Sequence, residues 1–294
     1  MKRLLPVLSL LLGLCLIVPA SAETRLNVVT SFSILADFAR QVGGDKVSVN
    51  SLVGPDSDVH VYTPTPHDAK EVGAARLLIV NGLGLEGWLP RLQQASGSKA
   101  PIVVATQGIT ARKRGSDADP HAWQSVGNAM VYVRNIRDAL VAADPADADT
   151  FKVNAERYLA ELAALDREVR AEIDKIPPER RKVISTHDAF GYFADAYGIL
   201  FIAPLGVSTE TEPSARDVAE IIGQVRRAKI PAVFLENFND ARLVGRIAAE
   251  TGAKIGGTLY SDALSEEKGP VPTYIAMVRH NIRALTSALV RQGF

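Results

Sequence analysis

The chain has 294 residues, with 33 basic and 33 acidic side chains, five histidines and one cysteine. The charges balance and no basic tract rises above the background, which argues against nucleic acid or anionic lipid as a partner. The length is enough for two compact lobes, each burying its own core.

The first residues read "MKRLLPVLSLLLGLCLIVPASAETRL". Lys2 and Arg3 precede an almost wholly apolar run from Leu4 to Val18, and Ala20-Ser21-Ala22 follows as a small-x-small cleavage site. The run is shorter than the ~20 residues of a spanning helix, so residues 1–22 are expected to be a secretory signal peptide and the product periplasmic. Cys15 lies inside this segment behind Leu14, where a lipid-modified cysteine would want a small residue, so no membrane anchor is expected. Removing residues 1–22 leaves 31 basic and 33 acidic residues among 272, and no cysteine. Any metal site must then use His, Asp or Glu.

Next, "LNVVTSF", "VSVNSLVG", "LLIVNG" and "PIVVAT" alternate with helical stretches such as "SILADFARQVGG" and "LEGWLPRLQQA". Short continuous apolar runs between helices predict buried strands of a parallel sheet, and residues 23–145 are assigned to a first α/β lobe. Residues 146–176 form a glycine-free stretch with apolar positions at Phe151, Tyr158, Leu162, Leu165, Val169 and Ile173, close to helical period. Asp144-Pro145 opens it and Pro177-Pro178 closes it, which predicts a rigid helix of roughly 40 Å linking the lobes. The strand-and-helix pattern restarts with "RKVISTHD", "ILFIAPLG", "PAVFLENF" and "KIGGTLYSDAL", and residues 177–294 are assigned to a second α/β lobe.

In open α/β sheets, ligands bind beyond the carboxyl ends of the strands. His60 follows the "VSVNSLVG" strand, His121 the "PIVVAT" strand and His187 the "RKVIST" strand, while Asp262 ends the last one. Four candidate metal ligands thus fall at strand ends, two in each half, where a cleft between lobes would collect them. Taken singly, a strand-end histidine can instead cap the next helix, and Asp262 could be the N-cap of "DALSEE". His67 fits the first turn of a helix "PHDAKEVGAA", and His280 sits mid-helix among apolar neighbours as a packing residue. Glu236 and Asp188 are weaker candidates, as carboxylates that orient an imidazole.

The segments "DSDVHVYTPTPHD", "DPHAW", "STHDAFGYFADAYG" and "LYSDAL", in this order around a long central helix, resemble the zinc/manganese-type solute-binding proteins of bacterial ABC importers (the cluster A-I metal receptors). The resemblance covers essentially the whole chain after residue 22. It implies two lobes of parallel sheets flanked by helices, a rigid linking helix, and one metal in the interlobe cleft held by His60, His121, His187 and Asp262. It also implies delivery to an inner-membrane permease driven by a cytoplasmic ATPase, with the receptor expected to be monomeric. Two departures stand out. "TARKRGSDADPHAW" lacks the histidine-rich acidic loop common in zinc members, and Asp58-Val59-His60 replaces a proline-histidine pair common among relatives. Three imidazoles and one carboxylate favour Zn²⁺, with Mn²⁺ the alternative; manganese receptors of this type tend to carry glutamate where His187 stands. An exported zinc hydrolase is the rival class, but no His-Glu-x-x-His helix is present, and Ser208 in "GVSTETEP" lacks flanking glycines. No enzymatic activity is expected.

Overall fold

The computed structural model describes residues 25–290 apart from residues 116, 212, 239 and 240, so the expected signal peptide and Cys15 lie outside the described residues. In chain order the first part holds β1 (Leu26–Phe32), α1 (Ser33–Gly43), β2 (Val47–Val53), α2 (Pro66–Ala74), β3 (Leu77–Val80), α3 (Leu89–Ser96), β4 (Ile102–Val104), a small hairpin β5 (Lys113–Arg114) and β6 (Asp117–Ala118), and α4 (Val126–Ala143). The long helix α5 (Ala148–Ile173) follows. Then come β7 (Lys182–Ile184), α6 (Gly191–Tyr197), β8 (Leu200–Ile202), α7 (Ala215–Ala228), β9 (Ala232–Glu236), α8 (Ala241–Thr251), β10 (Lys254–Leu259) and α9 (Tyr274–Leu289). Among the described residues, no helix is long and apolar enough to cross a membrane.

The two four-stranded sheets are parallel throughout, ordered β2-β1-β3-β4 and β10-β9-β7-β8. Counted from its own first strand, each sheet therefore has the same order, with its topological switch point between the first and third strands. That is where a ligand crevice opens at the carboxyl ends of such a sheet. The helix starts are written locally. Thr65 and Asp68 form a reciprocal capping box at α2, with Pro66 in its first turn, and Ser214 and Asp217 do the same at α7. Helix α3 begins only at Leu89, later than "LEGWLPRLQQA" suggests, because the preceding chain turns through left-handed residues Gly82, Leu83 and Gly84. Around Asp262 there is no helix at all, so that residue is not an N-cap.

The linking helix spans 26 residues, and every predicted apolar position on it is buried: Phe151, Tyr158, Leu162, Leu165, Val169 and Ile173. What it packs against differs from the expectation of two separate cores. One continuous apolar cluster joins residues of the first sheet (Val28, Ile79) and of the second (Val183, Phe234) through α1, α4, α5 and α9. Smaller clusters cover the remaining face of each sheet: Val29, Leu78 and Val72 in one, Ile184, Val233 and Ile221 in the other. The physical reason is that α9 returns from the second sheet to lie on α5 and touches α1 as well as β10. The lobes are thus welded along one side, and on the other their strand-end loops and the β5–β6 hairpin meet across the cleft.

Phe38 on α1 sits at the centre of this weld, with its ring centroid 4.8 Å from Tyr274, 5.9 Å from Tyr132 and 6.3 Å from Tyr158. Removing a fully buried aromatic ring costs about 3–5 kcal/mol through lost burial and the cavity left behind. Phe38→Ala is expected to lower the unfolding free energy by that amount in a urea titration, with the denaturant slope unchanged.

Candidate metal centre

His60 lies on the loop between β2 and α2, His121 just after the β5–β6 hairpin, His187 just after β7 and Asp262 just after β10. The four strand-end residues predicted from the sequence come together in one place, and all four are buried. Each offers one ligand atom, and these atoms lie within 4.8 Å of one another. His121 Nε2 is 3.2 Å from His60 Nε2 and 3.3 Å from His187 Nε2. The oxygens of Asp262 are 3.2 Å from His60 Nε2, 3.1 Å from His187 Nε2 and 3.6 Å from His121 Nε2. Four donors about 2.0–2.1 Å from a common centre at the corners of a tetrahedron would be separated by about 3.3–3.4 Å, so the spacing suits a small cation between them. Despite these short separations, neither oxygen of Asp262 has a hydrogen-bond partner. The ring nitrogens of His60 and His187 both face His121 Nε2, and the unpartnered Asp262 carboxylate closes the cluster.

Each loop is held by its own set of hydrogen bonds. At His60, the main-chain amide donates to Asp58 Oδ1 (2.9 Å) and Trp88 Nε1 donates to the Val59 carbonyl (3.0 Å). At His121, Asp119 Oδ1 accepts from the main-chain amide (3.0 Å) and lies 2.9 Å from Nδ1, while Asn81 Nδ2 donates to the Pro120 carbonyl (2.9 Å). Trp123 Nε1 and Gln124 Nε2 then cross to the Ser261 carbonyl, at 2.8 and 2.7 Å, and so tie the His121 turn to the Asp262 loop.

Glu236, at the end of β9, organises the remaining two. Its Oε1 accepts from the amides of Thr186 and His187 (2.9 and 3.0 Å), and its Oε2 accepts from Ser261 Oγ (2.7 Å) and lies 2.5 Å from His187 Nδ1. Glu236 lies beside Nδ1 but off the line of a hydrogen bond, so its charge, rather than a bond, favours a proton on that nitrogen and leaves the Nε2 lone pair free for a cation.

Charge balance in this buried space follows from the same contacts. Burial alone would push the His187 imidazole down, but Glu236 and Asp262 outweigh it and hold its pKa well above the ordinary value. His121 behaves likewise, raised by Asp262 and Asp119 against its burial. Burial would push the Asp262 carboxyl up, yet His187 and His121 keep it well below the usual range. Asp119 also stays low despite burial, through His121 and the guanidinium of Arg112, whose Nη1 lies 3.0 Å away.

The other sequence candidates fall elsewhere. His67 is in the first turn of α2 with its side chain 77% exposed, 3.9 Å from Glu71, and it takes no part in the cluster. His280 is a packing residue, set edge-on to Tyr260 and bonded to the Thr258 carbonyl. Of the two weaker carboxylates, Glu236 backs an imidazole, whereas Asp188 pairs with Arg114 of the hairpin at 3.0 Å. Asp119 was missed. A local signal existed: an aspartate stands two residues before both His60 and His121, and each accepts that histidine's amide. Asp119→Asn is expected to weaken cation binding at the four groups by about 10–100-fold, because the imidazole loses its charged support. A competition titration against a chromogenic chelator checks this, with an unchanged melting temperature of the metal-free protein excluding a folding defect.

The sequence model of the periplasmic component A of zinc-uptake complexes (ZnuA) matches residues 28–288. The iron-binding protein YfeA of Yersinia pestis is 38% identical over 281 residues, covering 94% of this chain and 88% of its own. The manganese-binding lipoprotein MntA of Bacillus subtilis is 35% identical, with 92% and 91% covered. Among solved structures, the periplasmic zinc-binding protein TroA of Treponema pallidum superposes with a TM-score of 0.88 at 31% identity, covering 91% of this chain and all of its own. A superposition at that TM-score shows the same fold as the two parallel sheets and flanking helices of this chain. The chain belongs to the family of the periplasmic component A of zinc-uptake complexes.

Proposed function

We propose that this substrate-binding component of an ABC metal importer carries one Zn²⁺ held by His60, His121, His187 and Asp262, and passes it to an inner-membrane permease driven by a cytoplasmic ATPase. The observation that carries the reading is the convergence of three Nε2 atoms and one unpartnered carboxylate, 3.1–3.6 Å apart across the five separations measured, in a buried space. A nitrogen-rich set of four protein donors suits zinc, whereas manganese prefers more oxygen and higher coordination. The leader-like residues 1–22, together with relatives that are a lipoprotein and a periplasmic protein, support action outside the cytoplasm. These relatives are named as binding proteins, which supports a receptor over an exported hydrolase.

One observation favours Mn²⁺ as a second reading. Asp262 turns both oxygens toward the imidazoles, so a bidentate carboxylate could raise the coordination number. Relatives of similar identity are named for iron and manganese.

Purified protein titrated with Zn²⁺ and Mn²⁺ in competition decides between them. Zinc is expected to bind one equivalent and to displace manganese, and metal analysis of protein taken from its native compartment should find zinc. His60→Ala is expected to lower affinity by orders of magnitude, and His67→Ala to change it little. Equal losses from both would show that the wrong histidine has been assigned.

Acidification should weaken binding. Each imidazole binds metal only without its Nε2 proton, and the pKa values of His121 and His187 are raised in the metal-free protein. Protons therefore begin to compete above the ordinary imidazole range near ~6.5, and affinity should fall by about tenfold per pH unit for each ring that titrates. Calorimetry in buffers of different ionisation enthalpy should record proton release on metal binding. Affinity that stays flat from about pH 8 to about pH 5 would point to a site dominated by oxygen.

A further inference from the structure

The four groups of the proposed centre are not equally enclosed. His121, His187 and Asp262 are 0% exposed, whereas His60 is 7% exposed. His60 also forms part of the wall of a groove of about 1020 Å³, together with Tyr62 and Trp88 from the first lobe and Glu210 from the loop between β8 and α7.

The way the loops are fastened differs in the same sense. The other three groups are tied down by buried or charged contacts. Trp123 and Gln124 hold the Ser261 carbonyl, and Glu236 holds the His187 amide. Arg112 bridges Asp119 (3.0 Å) to Asp195 on α6 (2.6 Å), and Arg114 reaches Asp188 (3.0 Å). The His60 loop is held to the second lobe more lightly. Asp56 accepts from Asn237 Nδ2 (2.9 Å) and donates its amide to the Leu264 carbonyl (2.9 Å), and Thr209 Oγ1 donates to Asp58 Oδ2 (2.6 Å).

The two Asp-x-His segments make the contrast explicit. In both, one carboxylate oxygen accepts the histidine amide. The second oxygen of Asp119 is pinned by Arg112, whereas that of Asp58 is held by a hydroxyl from across the cleft, on the residue next to Glu210 in the groove wall.

Resting on the ligand set given above, we propose that the metal enters and leaves past His60 through this groove, and that the Asp58–Thr209 hydrogen bond is the latch that sets the release rate. His60 is the last ligand to engage and the first to let go. Asp58 couples the two events, because the carboxylate that shapes the His60 turn is the one that Thr209 holds in place. While the latch is made, the second lobe fixes the loop that carries His60. When it opens, that loop keeps its metal bond and its ties at Asp56 but loses the cross-cleft hydrogen bond next to His60.

Release is read by mixing protein loaded with Zn²⁺ with excess chromogenic chelator in a stopped-flow instrument. Thr209→Val keeps the shape and removes the donor. It is expected to release zinc about tenfold faster, the scale of one hydrogen bond to a charged group, while still binding one equivalent. Thr209→Ser keeps the donor and should release at the wild-type rate. Arg279→Gln, which removes a charged tie between α9 and α5 away from the cluster, should also leave the rate unchanged. Thr209→Ala replaces the valine variant if valine lowers the metal-free melting temperature. A wild-type rate for the donor-less variant overturns the latch, and so does equal acceleration by Arg279→Gln. A wild-type protein that binds no equivalent of zinc or manganese would instead overturn the ligand assignment, before any rate is compared.

Discussion

Everything at the metal centre depends on one apolar weld. The cluster draws two groups from the connections of each lobe and needs their donor atoms within a few ångströms of one another. Two bodies joined by a flexible chain could not hold such distances. Here α1, α4, α5 and α9 share one buried cluster that reaches into both sheets. Each fully buried aliphatic or aromatic side chain contributes about 1.5–3 kcal/mol relative to exposure, so the relative placement of the sheets is strongly defended. The strand ends inherit that precision without contributing to it.

The weld also explains how the centre tolerates its own electrostatics. A buried carboxylate without a hydrogen-bond donor is costly, and three carboxylates gathered around three imidazoles would be unstable in an unconstrained pocket. Asp262 carries no hydrogen bond, whereas Asp119 and Glu236 are satisfied by amides, by Ser261 and by Arg112. The two satisfied carboxylates position rings, and the unsatisfied one faces the space between them. The division of labour lies in the hydrogen bonding, not in the residue type.

Much of this was legible in the sequence. The alternation of apolar runs and amphipathic helices marked two parallel α/β halves, and the burial of Phe151 through Ile173 follows the period read from the chain. The strand-end rule picked out all four converging residues, and capping chemistry put His67 in a first turn. What stayed hidden depends on contacts between residues far apart in the chain. The shared core needs α9 to return across α5, which no local pattern announces. Trp123 and Gln124 reach a carbonyl 138 and 137 residues away. Asp119 acquires its role only because Arg112 and His121 flank it in space. The hairpin that ties Arg114 to Asp188 occupies the segment where the sequence showed only a missing histidine-rich loop.

Gly191 opens α6 with no side chain, and a Cβ built there would lie 2.0 Å from Arg112 Nη1 and 2.7 Å from Asp119 Oδ2. The guanidinium and carboxylate that steady His121 therefore occupy the volume any other residue at 191 would need. The lesson concerns inheritance rather than geometry. A drifting sequence could keep His60, His121, His187 and Asp262 intact and still disturb their arrangement through one methyl group at a position outside the cluster. In comparing chains of this kind, a glycine here is as informative as a histidine.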